Sequence, residues 1–200
     1  MIREVSAVER CSQLLRRLIE EEGTVLEGGI LKVDSFLNHQ INPVLMRSIG
    51  EAIGEYFAQV NLTKIVTVES SGIAPALATS LQLGVPTVFI RKKRPITMSN
   101  YIKGEAPSHT KGGITELFLS KEMVDSRDRV LIVDDFLASG RTIEAVADMV
   151  IKTGAELKGI VGVIEKTFEG GRKLLKTFDV PIVSLLKIRS LDGRIEFDVK

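Results

Sequence analysis

Five short runs of almost wholly apolar residues, separated by segments with helical spacing, constrain this chain more than any other feature. They are Lys64–Val68, Thr87–Ile90 and residues 130–133, 160–164 and 182–186. Strands this short and this uniformly apolar have no solvent face, so they belong to a parallel sheet covered by helices on both sides. The expected fold class is α/β. Residues 74–83 and 143–151 supply helices between the strands, the second with apolar residues at 143, 146, 147, 150 and 151. Ahead of the sheet, Cys11, Leu14, Leu15, Leu18 and Ile19 recur at helical spacing, and Gly23 is placed to end that helix. Another helix follows Pro43, with Leu45, Ile49, Ile53 and Phe57 on one face. In the tail, Ile195, Phe197 and Val199 alternate, which predicts a half-buried strand in a separate small sheet.

Residues 91–113 break this pattern. Arg91, Lys92, Lys93, Arg94, Lys103 and Lys111 stand there against the single acid Glu105, together with His109. Pro95, Gly104, Pro107 and the Gly112-Gly113 pair argue against regular structure through much of the stretch. Two readings stand: a solvated surface loop, or a long functional loop. The charge is otherwise balanced, 27 Lys and Arg against 26 Asp and Glu, so no basic excess predicts a nucleic-acid partner. A single cysteine, Cys11, suits packing in a reducing compartment. His39 and His109 lie too far apart in sequence to form a metal-binding motif, so no protein metal site is expected. The first residues lack the apolar stretch of a secretory signal, and no apolar run approaches the ~20 residues of a membrane span. The expectation is a single cytoplasmic domain over residues 1–200 with no membrane partner.

The chemistry concentrates in residues 130–142, VLIVDDFLASGRT. Ligands of open parallel sheets bind beyond the carboxyl ends of the strands, and Asp134 and Asp135 fall where this strand is expected to end. Ala138, Ser139, Gly140, Arg141 and Thr142 then lead into a helix. Backbone N–H groups and the positive end of a helix dipole suit a phosphate there, and Ser139 and Thr142 add hydroxyl donors. Two adjacent carboxylates repel phosphate, but as acceptors they suit the vicinal hydroxyls of a ribose. Sugar over the acids and phosphate in the loop together describe ribose 5-phosphate. The Gly-x-x-x-x-Gly-Lys pattern of a Walker A loop is absent. A second strand, small-residue turn and helix start occurs at Glu69, Ser70, Ser71 and Gly72, again an anion site in form.

VLIVDDFLASGRT resembles the binding motif for 5-phosphoribosyl-1-pyrophosphate (PRPP) of type I phosphoribosyltransferases. The resemblance covers most of the chain, from about residue 14 to residue 197. It implies a five-stranded parallel core over about 44–187 and a small hood from about 24–43 and 188–200. It also implies a homodimer, and Mg²⁺ bound with PRPP through substrate oxygens. Glu69, Ser70, Ser71 and Gly72 are similar to the family's pyrophosphate loop. The basic stretch lies where the family carries a mobile lid, with Arg91 and Lys92 as the expected pyrophosphate contacts. The implied reaction is displacement of pyrophosphate from C1 of the sugar by a purine nitrogen.

Within the family the chain resembles most the branch that uses xanthine. Residues 31–40 are similar to its base-binding segment, with Leu31 and Asn38 as contacts, and residues 164–168 to its second specificity segment, with Lys166 facing the base. The hypoxanthine–guanine branch usually has Asp where Ala138 stands, and the adenine branch usually has Arg where Ser71 stands. Lys166 donates without accepting, which suits a purine carbonyl and not an exocyclic amine. Each contact has a plainer alternative: a surface Lys166, an Asn38 that caps a turn, a core Leu31. Phe136 either stacks on the purine or packs the sheet. Guanine, hypoxanthine and adenine are the alternative bases. A PRPP-sensing regulator would need a DNA-binding domain, for which the roughly 60 residues before the first core strand, holding two helices and the base segment, leave no room.

Overall fold

The computed structural model describes residues 5–107 and 113–198. His109, Lys111, Gly112 and Val199 lie outside the described residues. Helix α1 (Ala7–Glu22) opens with a capping box in which the Ser6 hydroxyl accepts from the Glu9 N–H and the Glu9 carboxylate accepts from the Ser6 N–H. Its buried stripe is Cys11, Leu15, Leu18 and Ile19. Strands β1 (Thr24–Leu26) and β2 (Ile30–Lys32) form an antiparallel hairpin, and a π-helical turn, Asp34–Asn38, follows. Helix α2 (Pro43–Phe57) starts on Asn42, whose side-chain oxygen accepts from the N–H groups of Val44 and Leu45. Then come β3 (Lys64–Val68), α3 (Ile73–Leu83) and β4 (Thr87–Ile90). The second half continues with β5 (Tyr101–Pro107), β6 (Ile114–Ser120), β7 (Arg129–Leu137), α4 (Arg141–Lys152), β8 (Glu156–Lys166), α5 (Gly171–Leu175), β9 (Ile182–Ser190) and β10 (Glu196–Phe197).

The main sheet has the order β10-β9-β8-β7-β3-β4, and the five strands from β9 to β4 are all parallel. Alternate residues feed two cores, one on each face. Ile65, Leu131, Val133 and Val161 pack with α1 and α2 residues such as Leu15, Ile49 and Phe57. Val66, Val130, Ile132 and Ile160 pack with Ile143, Val146 and Val150 of α4. This two-sided burial explains the continuous apolar runs.

Three expectations are corrected. The tail is not part of a separate sheet: β10 pairs antiparallel with β9 at the edge of the main sheet, and Phe197 packs against the first core. Strand β7 does not end at Val133 but continues to Leu137, because β8 keeps pairing with it through Leu137↔Glu165. The basic stretch is irregular over residues 92–100, as expected, but residues 101–107 form a regular strand that Gly104 and Pro107 had argued against. β5 and β6 form a seven-residue antiparallel hairpin, in register from Tyr101↔Ser120 to Pro107↔Ile114. The hairpin lies on α4 with Ile102, Ala106, Leu117 and Leu119 buried. Gly104 fits there because any side chain would meet Met149, whose Sδ stands 2.4 Å from the place of a Cβ. The Ile102-Gly104-Ala106 alternation carried this signal, and Gly104 and Pro107 masked it.

Candidate active site

The site follows from where two neighbouring strands part. β3 and β7 pair only through Lys64↔Val130, Ile65↔Leu131 and Val66↔Ile132. Beyond that point β7 stays with β8, while β3 turns into α3. The chain also winds in opposite directions from this pair, to β4 on one side and to β8 and β9 on the other. Such a switch point leaves a crevice at the carboxyl ends of the strands. The crevice is a cleft of about 670 Å³.

Both anion turns open into it. From the first come Ala138, Ser139, Gly140 and Thr142; from the second come Glu69 and Ser71. Gly140 is the N-cap of α4 with φ 77°, a left-handed conformation that favours glycine. The first-turn N–H groups of a helix lack intrahelical acceptors and remain available to a ligand. The Ser139 hydroxyl is buried with no hydrogen-bond partner among the described residues, so it too is free for one. Arg141 does not line the cleft: its guanidinium pairs with Glu144 at 3.2 Å, one turn along the helix surface.

Asp134 and Asp135 both line the cleft, from inside β7. Asp135 is only 6% exposed. The Asp134 carboxylate accepts the Asp135 N–H at 3.1 Å. Burial, and after it the charge of Asp135, push the Asp134 carboxyl well above the usual carboxylate range, against the pull of Lys92. Gly72, at the start of α3, makes room for this carboxyl. A Cβ there would stand 2.2 Å from Thr67 Oγ1 and 2.7 Å from Asp134 Oδ1. We expect Gly72→Ala to displace Asp134 and destabilise the protein by about 1–3 kcal/mol, as overpacking does. A thermal melt alongside a PRPP titration checks both effects; an unchanged PRPP affinity would remove Gly72 from the site's construction.

The second turn is arranged differently from the expectation. The Glu69–Ser70 peptide is cis, Ser70 is exposed, and neither Ser70 nor Gly72 lines the cleft. Glu69 is tied to the next strand: its carboxylate pairs with Arg91 Nε at 2.7 Å and accepts the Lys92 N–H at 2.5 Å. Arg91 also stacks its guanidinium 5.5 Å from the Phe89 ring centre, outside the cleft lining. Lys92 does line it. Lys103 is committed to Glu105 and Glu116 of the hairpin, and Arg94 to the Tyr101 ring at 5.3 Å. Among the described residues of the basic stretch, Lys92 is the cation that faces the cleft.

Leu31, Phe136 and Lys166 also line the cleft. Lys166 is not a surface lysine, since its side chain is 12% exposed. Its Nζ donates to the Gly29 carbonyl at 3.1 Å, lies 3.4 Å from a Glu169 carboxylate oxygen, and stands 5.9 Å from the Phe136 ring centre. Leu31 is at once core and site, 6% exposed yet in the lining. Phe136 likewise packs partly on the first core and faces the cleft. Asn38 caps no helix and is not in the lining. Its Oδ1 is buried with no partner among the described residues.

The lining also holds residues that sequence reasoning passed over: Gly28, Gly29, Ile30, Val68, Ile143, Phe168 and Glu169. The Gly28-Gly29 pair marks the hairpin turn, with φ 78° and 71°, and was a legible signal for it. Nothing local announces that this turn reaches the end of β8, 137 residues away. Among the described residues, no three His, Cys, Asp or Glu side chains come together as a metal ligand set.

Comparison with known proteins agrees with this geometry. The family model of the phosphoribosyl transferase domain matches residues 38–191. A xanthine phosphoribosyltransferase of Deinococcus deserti is 51% identical over 175 residues, 87% of this chain and 91% of that protein. One of Listeria monocytogenes is 45% identical over 182 residues, 90% of this chain and 95% of that protein. Among solved structures, adenine phosphoribosyltransferase from Saccharomyces cerevisiae, in a complex that contains adenine, superposes with a TM-score of 0.74. It is 26% identical and the match covers 88% of this chain and 99% of that one.

Proposed function

We propose that this chain, which belongs to the phosphoribosyltransferase family, transfers the 5-phosphoribosyl group of PRPP to xanthine, giving xanthosine monophosphate and pyrophosphate. One observation carries the reading. A single cleft gathers the turn after β7, the turn after β3, and Lys166 with Leu31. That is a phosphate site, a pyrophosphate site and a base site around one sugar position.

Each group then has a task. The α4 N-terminus, Ser139 and Thr142 hold the 5-phosphate, and Asp134 and Asp135 accept from the ribose hydroxyls. The Glu69–Gly72 turn takes the pyrophosphate, and Lys92 balances its charge as it leaves. Negative charge near the sugar favours the oxocarbenium-like transition state of such a displacement. The wall formed by Leu31 and Phe136 keeps water from a reactive sugar cation. Lys166 donates to a purine carbonyl. Adenine presents an amine where Lys166 needs an acceptor, so the likeness to adenine enzymes is one of fold.

Magnesium fits as an ion that arrives with PRPP: the nearby donors are the carboxylate oxygens of Asp134 and Asp135, the hard donors it takes, in a site with no dedicated cage. When bound it neutralises pyrophosphate oxygens. A homodimer acting in the cytoplasm completes the proposal, and light scattering of the pure protein tests the first. The test of function is competition: protein, PRPP and Mg²⁺ with equal xanthine, guanine, hypoxanthine and adenine. Xanthosine monophosphate is expected to dominate. Dominance of guanosine or inosine monophosphate would overturn the base assignment, and no nucleotide from any base would overturn the enzyme.

A further inference from the structure

Beside the cleft, and outside its lining, lies a buried polar cluster of Glu165, Arg172 and Ser184. Glu165 and Lys166 are consecutive residues at the end of β8, so their side chains leave opposite faces of the strand. Lys166 enters the cleft. Glu165 turns away from it and is 2% exposed. Its carboxylate takes a two-pronged pair from Arg172, Nε to Oε1 at 2.8 Å and Nη2 to Oε2 at 2.6 Å. The Ser184 hydroxyl donates to the same carboxylate at 2.7 Å and accepts from Arg172 Nη2 at 2.9 Å. Arg172 Nη1 donates to the Ile182 carbonyl at 2.7 Å. Burial works to raise the Glu165 carboxyl, but Arg172 and Ser184 outweigh it and hold the group below its usual range. None of the three lines the cleft.

Arg172 is also one residue from the phosphate turn's support. The Gly171 N–H donates to the Ala138 carbonyl at 3.1 Å. A Cβ on Gly171 would stand 2.3 Å from that carbonyl and 2.6 Å from the Gly140 nitrogen. The backbone of α5 therefore lies directly against the Ala138–Gly140 segment, while the guanidinium of its next residue clamps the strand end that presents Lys166. One short element braces both subsites.

We propose that Glu165, Arg172 and Ser184 are positioning residues that set the base-facing Lys166 and the phosphate turn in one fixed relation. The inference rests on the functional reading above, but its first readout does not. PRPP binding, titrated without any base, reports on the phosphate turn whichever purine is used. Transfer is then measured with the base that the wild type prefers.

The decisive variant is the pair Glu165→Gln with Arg172→Met. Arg172→Met alone strands a buried carboxylate and is expected to melt early; removing the charge as well relieves that cost and returns the melting temperature toward wild type. If the cluster positions, the folded double variant still shows PRPP Kd and base KM both raised about tenfold, since misplaced groups lose rate and affinity without unfolding. If both constants return to wild type along with stability, the cluster only supports the fold and the proposal fails. A change in one constant alone overturns the coupling. Should the double variant not fold, Ser184→Ala removes the smallest member. A rise of about two- to threefold in both constants is expected for the loss of one hydrogen bond, and two unchanged constants overturn the proposal. A wild type that binds PRPP but transfers to no base would sink the functional reading while leaving the PRPP arm of this test intact.

Discussion

Replacing Asp134 and Asp135 together by Asn will lower transfer by about a thousandfold or more, the scale of losing preorganised groups at a developing charge, while the protein stays folded. Among the described residues no cation is paired to either carboxylate, so no ion pair among them is broken by their removal. PRPP affinity should fall with the rate under the proposal that the acids serve ribose hydroxyls. A double variant that keeps its PRPP affinity would refute the ribose assignment. Stability supplies a second reading. Asp134 is held well above its usual range by burial and by Asp135. The native state thus keeps a proton that the unfolded chain has released. Native stability therefore falls as pH rises from the ordinary carboxylate range up to the raised value. Above that window the wild type bears the full cost, and Asp134→Asn abolishes it. The single variant should melt higher than wild type at neutral pH, by about 2–4 °C for each kcal/mol relieved. The gain should vanish in acid, where both carboxyls are protonated. A lower melting temperature at neutral pH would mark Asp134 as a structural residue.

Lys166→Ala should cost about 10–100-fold in kcat/KM for xanthine, the worth of a charged hydrogen bond at a largely desolvated site. PRPP binding should change little, since among the described residues the contacts of Lys166 Nζ are with Gly29, Glu169 and Phe136 and not with the Ala138–Gly140 turn. The effect has a second source in the structure. Lys166 holds the Gly29 carbonyl, so its loss also frees the β1–β2 turn that stands over the base wall. Selectivity among purines should decline along with rate. Equal losses in base use and PRPP affinity would show Lys166 to be a brace for the whole cleft.

The legible parts of this chain were those encoded locally. Uniform apolar runs announced the parallel sheet, and Gly23 and Pro43 announced helix ends, while the caps Ser6 and Asn42 were passed over. The Asp-Asp pair with its Ala-Ser-Gly-Arg-Thr turn lies within 13 consecutive residues, so its gathering at one cleft, Arg141 apart, was readable without a partner. What stayed hidden depends on pairing at a distance. That β7 would outrun β3 by several residues follows from β8, which is written some 20 residues later. Arg91 and Arg141 read as phosphate ligands by position; in the structure their guanidiniums pair with Glu69 and Glu144 and stand outside the cleft lining. The β5–β6 hairpin was obscured because a glycine admitted for Met149 looks in sequence like a loop breaker. Glu169 and the Gly28-Gly29 turn reach the cleft only through tertiary packing.

The pleat at the end of β8 divides two neighbouring codons into different kinds of inheritance. A change at 166 alters what the cavity presents to its guest and at most loosens the β1–β2 turn, so a lineage can try lysine, an apolar residue or an amide there and keep the sheet standing. A change at 165 faces the guanidinium and hydroxyl beneath, and must wait for matching changes at 172 and 184. New purine preferences should therefore arise by drift on one side of this strand, over an underside that stays fixed.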